Sequence, residues 1–194
     1  MIYLVRHGQT EFNASGRIQG AKDSALTPLG VEQGRRLGRL LGSLAPPDTR
    51  IIASPLGRTQ HTARLIREES RLAAEIASDA RLAEISLGEW DGMLKDDIRE
   101  IAPDYDAGER RWDWFFTAPK GESYAALTSR LGAWLEEARA LPGTTIAVSH
   151  GVAGRILRGL FLGLSREDAL MLDIPQDACF RMAEGRIERL ECGS

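Results

Sequence analysis

Met1-Ile2-Tyr3-Leu4-Val5-Arg6-His7-Gly8-Gln9-Thr10, with Asn13 shortly after, is the stretch that decides the fold. Its first half is a short apolar run rich in Ile, Tyr and Val, which reads as a buried strand. The run stops abruptly at Arg6, His7 and Gly8, so these residues stand at the strand's carboxyl end. In open α/β sheets that edge is where ligands bind. A cation beside an imidazole, with a glycine that lets backbone approach closely, suits an anion that is to be attacked. A loop histidine next to a loop arginine is the alternative this segment alone leaves open.

Two further apolar runs end in the same way. Ile51-Ile52-Ala53 runs into Ser54-Pro55, which reads as an N-cap and first-turn proline opening a helix through Arg67 that carries Arg58. Thr144 to Ser149 runs into His150-Gly151 and a helix from Val152 to Leu162. If the three strands are parallel neighbours, their ends meet at one edge. Arg6, His7, Arg58 and His150 then surround a common point. Such a cluster suits a doubly charged phosphoryl group, because arginine forks match its oxygens and helix N-termini favour negative charge. Taken singly, Arg58 could be a solvated helix residue and His150 a hydrogen-bonded core histidine. The coincidence of three strand ends favours a shared anion site.

The remaining chain alternates strand and helix. Thr27-Pro28 opens a helix ending near Gly42, and Pro46-Pro47-Asp48 is a turn. Glu75 to Ser78 is a weak strand. Residues 81 to 123 are irregular, with a short helix near Leu94 to Ile101 stopped by Pro103 and an aromatic group Trp112-Trp114-Phe115-Phe116. Glu122 to Leu141 carries Leu127, Leu131, Trp134, Leu135 and Ala138 at helical spacing. Ala178 to Met182 and Arg186 to Glu191, around Glu184-Gly185, read as a terminal hairpin. The expected fold is three-layer α/β/α, with a mostly parallel central sheet and helices on both faces. Residues 1-194 are read as one domain, with 90-123 as a small cap or specificity insertion.

Composition bounds the partners. The 194 residues are 43% hydrophobic and 27% charged, an ordinary globular profile. A formal net charge of −3 gives no basic field for nucleic acid. No apolar stretch is long enough to span a bilayer, and MIYLVRHG lacks the features of a signal peptide. Cys179 and Cys192 make neither a disulfide framework nor a zinc site. The expectation is a cytoplasmic enzyme with two free thiols, no metal, no other cofactor and no membrane contact.

Arg6-His7-Gly8-Gln9-Thr10 with Asn13 resembles the signature of the histidine phosphatase superfamily, the phosphoglycerate mutase-like proteins. Gln19-Gly20 through Asp23-Ser24-Ala25-Leu26-Thr27 is similar to its following loop. Ser54-Pro55-Leu56 through Arg58 and Thr62-Ala63 is similar to its second motif. Leu82-Ala83-Glu84-Ile85, Gly88 and Trp90-Asp91-Gly92 are similar to its acid-bearing motif. Gly121-Glu122-Ser123 and Ser149-His150-Gly151 complete an ordered set over residues 1 to about 160.

The resemblance implies that His7 is a nucleophile forming a phosphohistidine, with Glu84 as general acid and then as the base that activates water. Arg6 and Arg58 would keep His7 neutral and stabilise the transferring charge, and His150, if protonated, would add a donor. Arg6, Asn13, Gln19, Gly20, Arg58 and Gly151 would bind substrate. Burial beside Leu82 and Ile85 is expected to keep Glu84 protonated. His61, one turn after Arg58, reads as structural.

The implied activity is hydrolysis of a small phosphomonoester, releasing inorganic phosphate. Mutase-type transfer and a non-catalytic phosphate-binding module are the alternatives. Gly92 to Ser123 is short for a mutase lid. It carries Arg99, Arg110, Arg111 and Lys120 against Asp96, Asp97, Glu100, Asp104, Asp106, Glu109 and Asp113, an acid-rich balance poorly suited to a bisphosphate. Lys120 stands where a second glycine is frequent in the family and reads as solvated. The aromatic group lines either a specificity pocket or a satellite core, and core is the expectation.

Overall fold

The computed structural model of the protein describes residues 1–108 and 111–193. One sheet of six strands runs through it in the order β3-β2-β4-β1-β5-β6. β1 (Ile2–Arg6), β2 (Arg50–Ala53), β3 (Ile76–Ser78) and β4 (Thr145–Ser149) are parallel, and β5 (Ala178–Ala183) and β6 (Arg186–Glu191) add an antiparallel edge. The mostly parallel α/β sheet expected from the sequence is therefore present. Its order places β2, β4 and β1 side by side, so the three strand ends that carry the motifs are neighbours.

Strand alternation sorts the core into two layers. Tyr3 and Val5 of β1 face α2 (Pro28–Leu44) and α3 (Gly57–Ser70), packing with Leu37, Leu41 and Ile66. Ile2 and Leu4 face α5 (Tyr124–Ala140) and α6 (Gly151–Leu162), packing with Leu131, Trp134 and Ile156. α2 starts as the Thr27-Pro28 pair predicts, with the Thr27 hydroxyl accepting from the Gly30 amide. That helix start presses on the end of β1 so closely that a Cβ on Gly8 or on Gly30 would overlap the other segment's backbone.

Three local readings change. α3 begins at Gly57 rather than at Pro55, and no side chain of Leu56 caps it. Asp23, from the preceding loop, accepts from the Gly57 and Arg58 amides instead. Two short helices that hydrophobic spacing does not reveal are α1 (Glu11–Ala14) and α7 (Arg166–Met171), capped by Thr10 and Ser165. The Leu94–Ile101 helix is present as α4 (Lys95–Ile101).

Trp90, Tyr105 and Trp114 pack edge-on and tilted against one another, fixing the 90–123 segment to the α5/α6 layer. Asp113 forms an ion pair with Arg166 at 2.9 Å, which ties the same segment to α7. No helix among the described residues is long and apolar enough to cross a membrane.

Candidate active site

A cavity of about 490 Å³ opens at the carboxyl ends of β1, β2 and β4. Arg6, His7, Asn13, Gln19, Gly20, Arg58, Glu84 and Gly151 all line it. His150 is buried just behind, its ring 5.2 Å from that of His7 and at a 62° angle to it. Every site residue expected from the sequence is therefore in one place. His61 is not among those lining the cavity; it borders a shallow pocket beside Asp23 and Gly57.

The His7 ring is held from both sides. Nδ1 lies 2.8 Å from the Gly8 carbonyl, which can only accept, so Nδ1 carries the proton. Arg58 Nε–H, which can only donate, reaches Nε2 at 3.2 Å. The Nε2 lone pair therefore faces the cavity side of the arginine. Burial, then Arg6 and Arg58, hold the His7 pKa well below its ordinary value, so the ring is neutral.

Arg58 is 2% exposed, and its fork is built by the loop after α1. Nη1 donates to Lys22 O at 2.7 Å and Asp23 Oδ1 at 3.1 Å, and Nη2 donates to Gly20 O at 2.9 Å. Gly20 reaches this position with φ +54, where a Cβ would run into Asp91. Asp91 is itself fixed by accepting from the Ala21 and Leu87 amides.

On the opposite wall, Arg6 Nη1 donates to Ile174 O at 2.6 Å, and burial pulls its guanidinium down to about 10. Its Nε is buried with no hydrogen-bond partner in the structure, and so is His150 Nδ1. His150 Nε2 pairs with Ser54 Oγ at 2.8 Å. If Ser54 donates, both unpartnered atoms are N–H donors that an oxyanion satisfies. Burial and the cations Arg58 and Arg6, with His7, hold His150 well below its ordinary pKa. It is neutral in this state, so any hydrogen bond it donates to an oxyanion comes from Nδ1–H of the neutral ring.

Glu84 is half-buried. Its surroundings are not simply apolar. Oε1 accepts from the Ile85 amide at 3.1 Å and the Ala153 amide at 2.9 Å, and Oε2 from the Val152 amide at 3.1 Å. The carboxyl group sits at the N-terminus of α6, with one Oε2 lone pair left unused. A Cβ on Gly151 would lie 3.6 Å from both Arg6 Nε and Glu84 Oε2, between the cation and the carboxylate.

Two positioning residues escape sequence reading. Asp23 orients Arg58 as described. Gln176, in the segment before β5, donates from Nε2 to His7 O at 3.1 Å and to Asn13 Oδ1 at 3.2 Å. The Thr10 amide also donates to Asn13 Oδ1 at 3.2 Å. Two obligate donors on Oδ1 leave the Asn13 amide nitrogen for the cavity. Nothing local in the sequence marks Gln176, because its partners are 169 and 163 residues away.

The charge tally over 92–123 misleads. Glu109 and Arg110, and the side chain of Arg111, lie outside the described residues. Among the described ones, only Lys95, Trp114 and Phe115 of this segment reach the cavity. Asp96 and Asp106 pair with Arg99, and Asp113 with Arg166. Lys120 is exposed, pairs with Glu89 at 2.8 Å and has φ +58, which explains why glycine suits its position. The aromatic group is core on one side and cavity wall on the other. Trp114 is 9% exposed against Trp90 and Tyr105, yet it and Phe115 line the cavity.

The chain is similar to known proteins over most of its length. A protein of Proteus mirabilis named "Probable phosphoglycerate mutase GpmB" is 38% identical over 172 residues, covering 84% of this chain and 75% of that one. The structure of Bacillus stearothermophilus YhfR superposes with a TM-score of 0.81 at 29% identity, over 96% of this chain and 93% of that one. A mycobacterial glucosyl-3-phosphoglycerate phosphatase superposes with a TM-score of 0.73 at 26% identity, over 93% and 90%. Residues 2–190 match the family described as the histidine phosphatase superfamily (branch 1), and the chain belongs to that family.

Proposed function

We propose that the protein is a phosphomonoester hydrolase working through a phosphohistidine on His7 Nε2. The observation that carries this reading is the fixed tautomer: Nδ1–H on Gly8 O, and a neutral Nε2 lone pair under Arg58. Attack of Nε2 on phosphorus breaks the ester P–O bond and forms an N–P bond. Arg6, Arg58, Asn13, Gln19 and His150 Nδ1 hold the phosphoryl oxygens as charge redistributes. The departing alkoxide takes its proton from Glu84, whose Oε2 holds one amide and has a second lone pair for that proton. The resulting carboxylate then takes a proton from water, which attacks phosphorus and releases inorganic phosphate. The charge stabilisation comes from arginines and amides, so no step uses a metal ion.

The segment 90–123 serves as the cap over this site. The chain as a whole acts as one unit on a small phosphorylated molecule. Burst kinetics with an aryl phosphate, followed by trapping of an acid-labile phosphoenzyme, tests the reading. The wild type forms the adduct and His7→Ala does not; near-normal turnover of that variant overturns the assignment.

The name of the Proteus mirabilis relative favours a second reading, return of the phosphoryl group to another hydroxyl. Phosphorus NMR of a 3-phosphoglycerate reaction separates the two. Hydrolysis gives free phosphate, whereas transfer gives 2-phosphoglycerate with little phosphate.

A further inference from the structure

We infer that the substrate's organic group carries a planar apolar ring, and that Phe115 is the surface that selects it. This rests on the hydrolase reading for the phosphoryl end and concerns the other end of the same cavity. The first ground is size. About 490 Å³ falls in the range of roughly 300–1,000 Å³ that holds drug-sized ligands, far more than a phosphoryl group with a few carbons fills.

The second ground is chemistry. Away from Arg6, His7 and Arg58 the lining is mixed: Ile18, Val152, Ile174 and Phe115 are apolar, and Arg17, Lys95 and Arg155 are cations. A hydroxylated carbon chain leaves the apolar part of that lining uncovered. A flat ring instead buries a large area and stacks with an aromatic face.

The third ground is rigidity. Trp114 and Phe115 stack at 4.3 Å between centroids, tilted by 33°. Trp114 is anchored in turn by Tyr105 at 5.3 Å, and Phe115 meets Phe116 edge-on at 6.5 Å. Phe115 is only half-buried within this stack, so part of its ring remains free beside the cavity. A preformed wall binds without ordering costs. Lys95, whose ammonium lies 5.8 Å from the Trp114 centroid, supplies a charge at the same wall.

The test compares esters of equally basic alcohols, so that leaving-group chemistry does not decide the outcome. They are 2-(1-naphthyl)ethyl phosphate, propyl phosphate and 3-phosphoglycerate. We expect kcat/KM for the naphthylethyl ester to exceed the other two by roughly 10-fold or more, the scale of one aromatic contact plus added area. Phe115→Ala removes most of that preference, and Phe115→Leu, which keeps the apolar volume and the fold, removes part of it. Equal or better turnover of propyl phosphate or 3-phosphoglycerate overturns the inference. So does an equal loss on all three substrates in both variants, which marks a purely structural role.

The matching phosphonates, which cannot be cleaved, report the wall separately by tryptophan fluorescence titration. Tighter binding of the naphthylethyl phosphonate, lost in Phe115→Ala, supports the wall even if no ester is hydrolysed. No preference among the phosphonates overturns it even if hydrolysis is fast.

Discussion

Arg58 Nε stands 3.2 Å from His7 Nε2 and donates to the lone pair that has to attack phosphorus. The two residues are 51 positions apart, on α3 and at the end of β1. In the free site this contact masks the nucleophile. In the proposed mechanism, a bound phosphoryl oxygen competes for the Arg58 Nε–H and so frees the His7 lone pair.

Arg58→Lys therefore tests geometry at constant charge. Lysine lacks the fork that spans Gly20 O, Lys22 O and Asp23. We expect kcat for an aryl phosphate to fall by about 10²- to 10³-fold, as when one preorganised donor is removed from a charge-stabilising site. A loss below threefold, in steady-state assays, would show that charge alone suffices.

The histidines set a pH dependence of stability. His7 and His150 both have folded pKa values well below 6.5, so the folded chain refuses protons that the unfolded chain accepts. Their contribution is complete above the unfolded value near 6.5 and is lost as pH falls towards the folded values. The slope is about 1.4 kcal/mol per pH unit for each group in that window. Urea denaturation near pH 7 and near pH 5.5 should show the loss, and the double variant His7→Gln, His150→Gln should flatten it. Unchanged slope in the double variant would place the acid sensitivity elsewhere.

Glu84→Gln separates proton donation from mere packing. The amide cannot give a proton, and its NH₂ sets a donor either against the Ile85 and Ala153 amides or against the Val152 amide, where an oxygen had accepted. The first-turnover burst should drop by roughly 10²- to 10⁴-fold for an alkyl phosphate and by less for a nitrophenyl phosphate. An equal drop for both leaving groups rejects Glu84 as the acid.

Gln176→Ala should weaken phosphate binding more than it slows chemistry. Losing two hydrogen bonds to His7 O and Asn13 Oδ1 frees the Asn13 amide to turn. The inhibition constant for inorganic phosphate should rise by about 3- to 10-fold, the scale of one or two net hydrogen bonds. Gln176→Glu, which sets a carboxylate against two oxygens, should do worse than alanine. A fall in kcat with unchanged phosphate inhibition would argue for a different role.

The strand-end motifs were legible in the sequence because each is local. A buried β1 ending at Arg6-His7, the Thr27-Pro28 helix start and the Leu127–Ala138 spacing are patterns of a few residues, set by strand and helix periodicity. They marked the strand ends and Arg6, His7, Arg58 and His150, while Glu84, Asn13 and Gln19 were legible only through the family resemblance. What the tertiary structure decided is the wiring between them. The order β2-β4-β1 is a property of long-range pairing, and so are Asp23 capping α3 and Gln176 holding Asn13. The face each charge presents was equally hidden, since a count over 92–123 cannot tell that Asp113 turns to Arg166 while Lys95 turns to the cavity. Direction is fixed by packing against distant elements, whereas composition and periodicity record only what neighbours along the chain share.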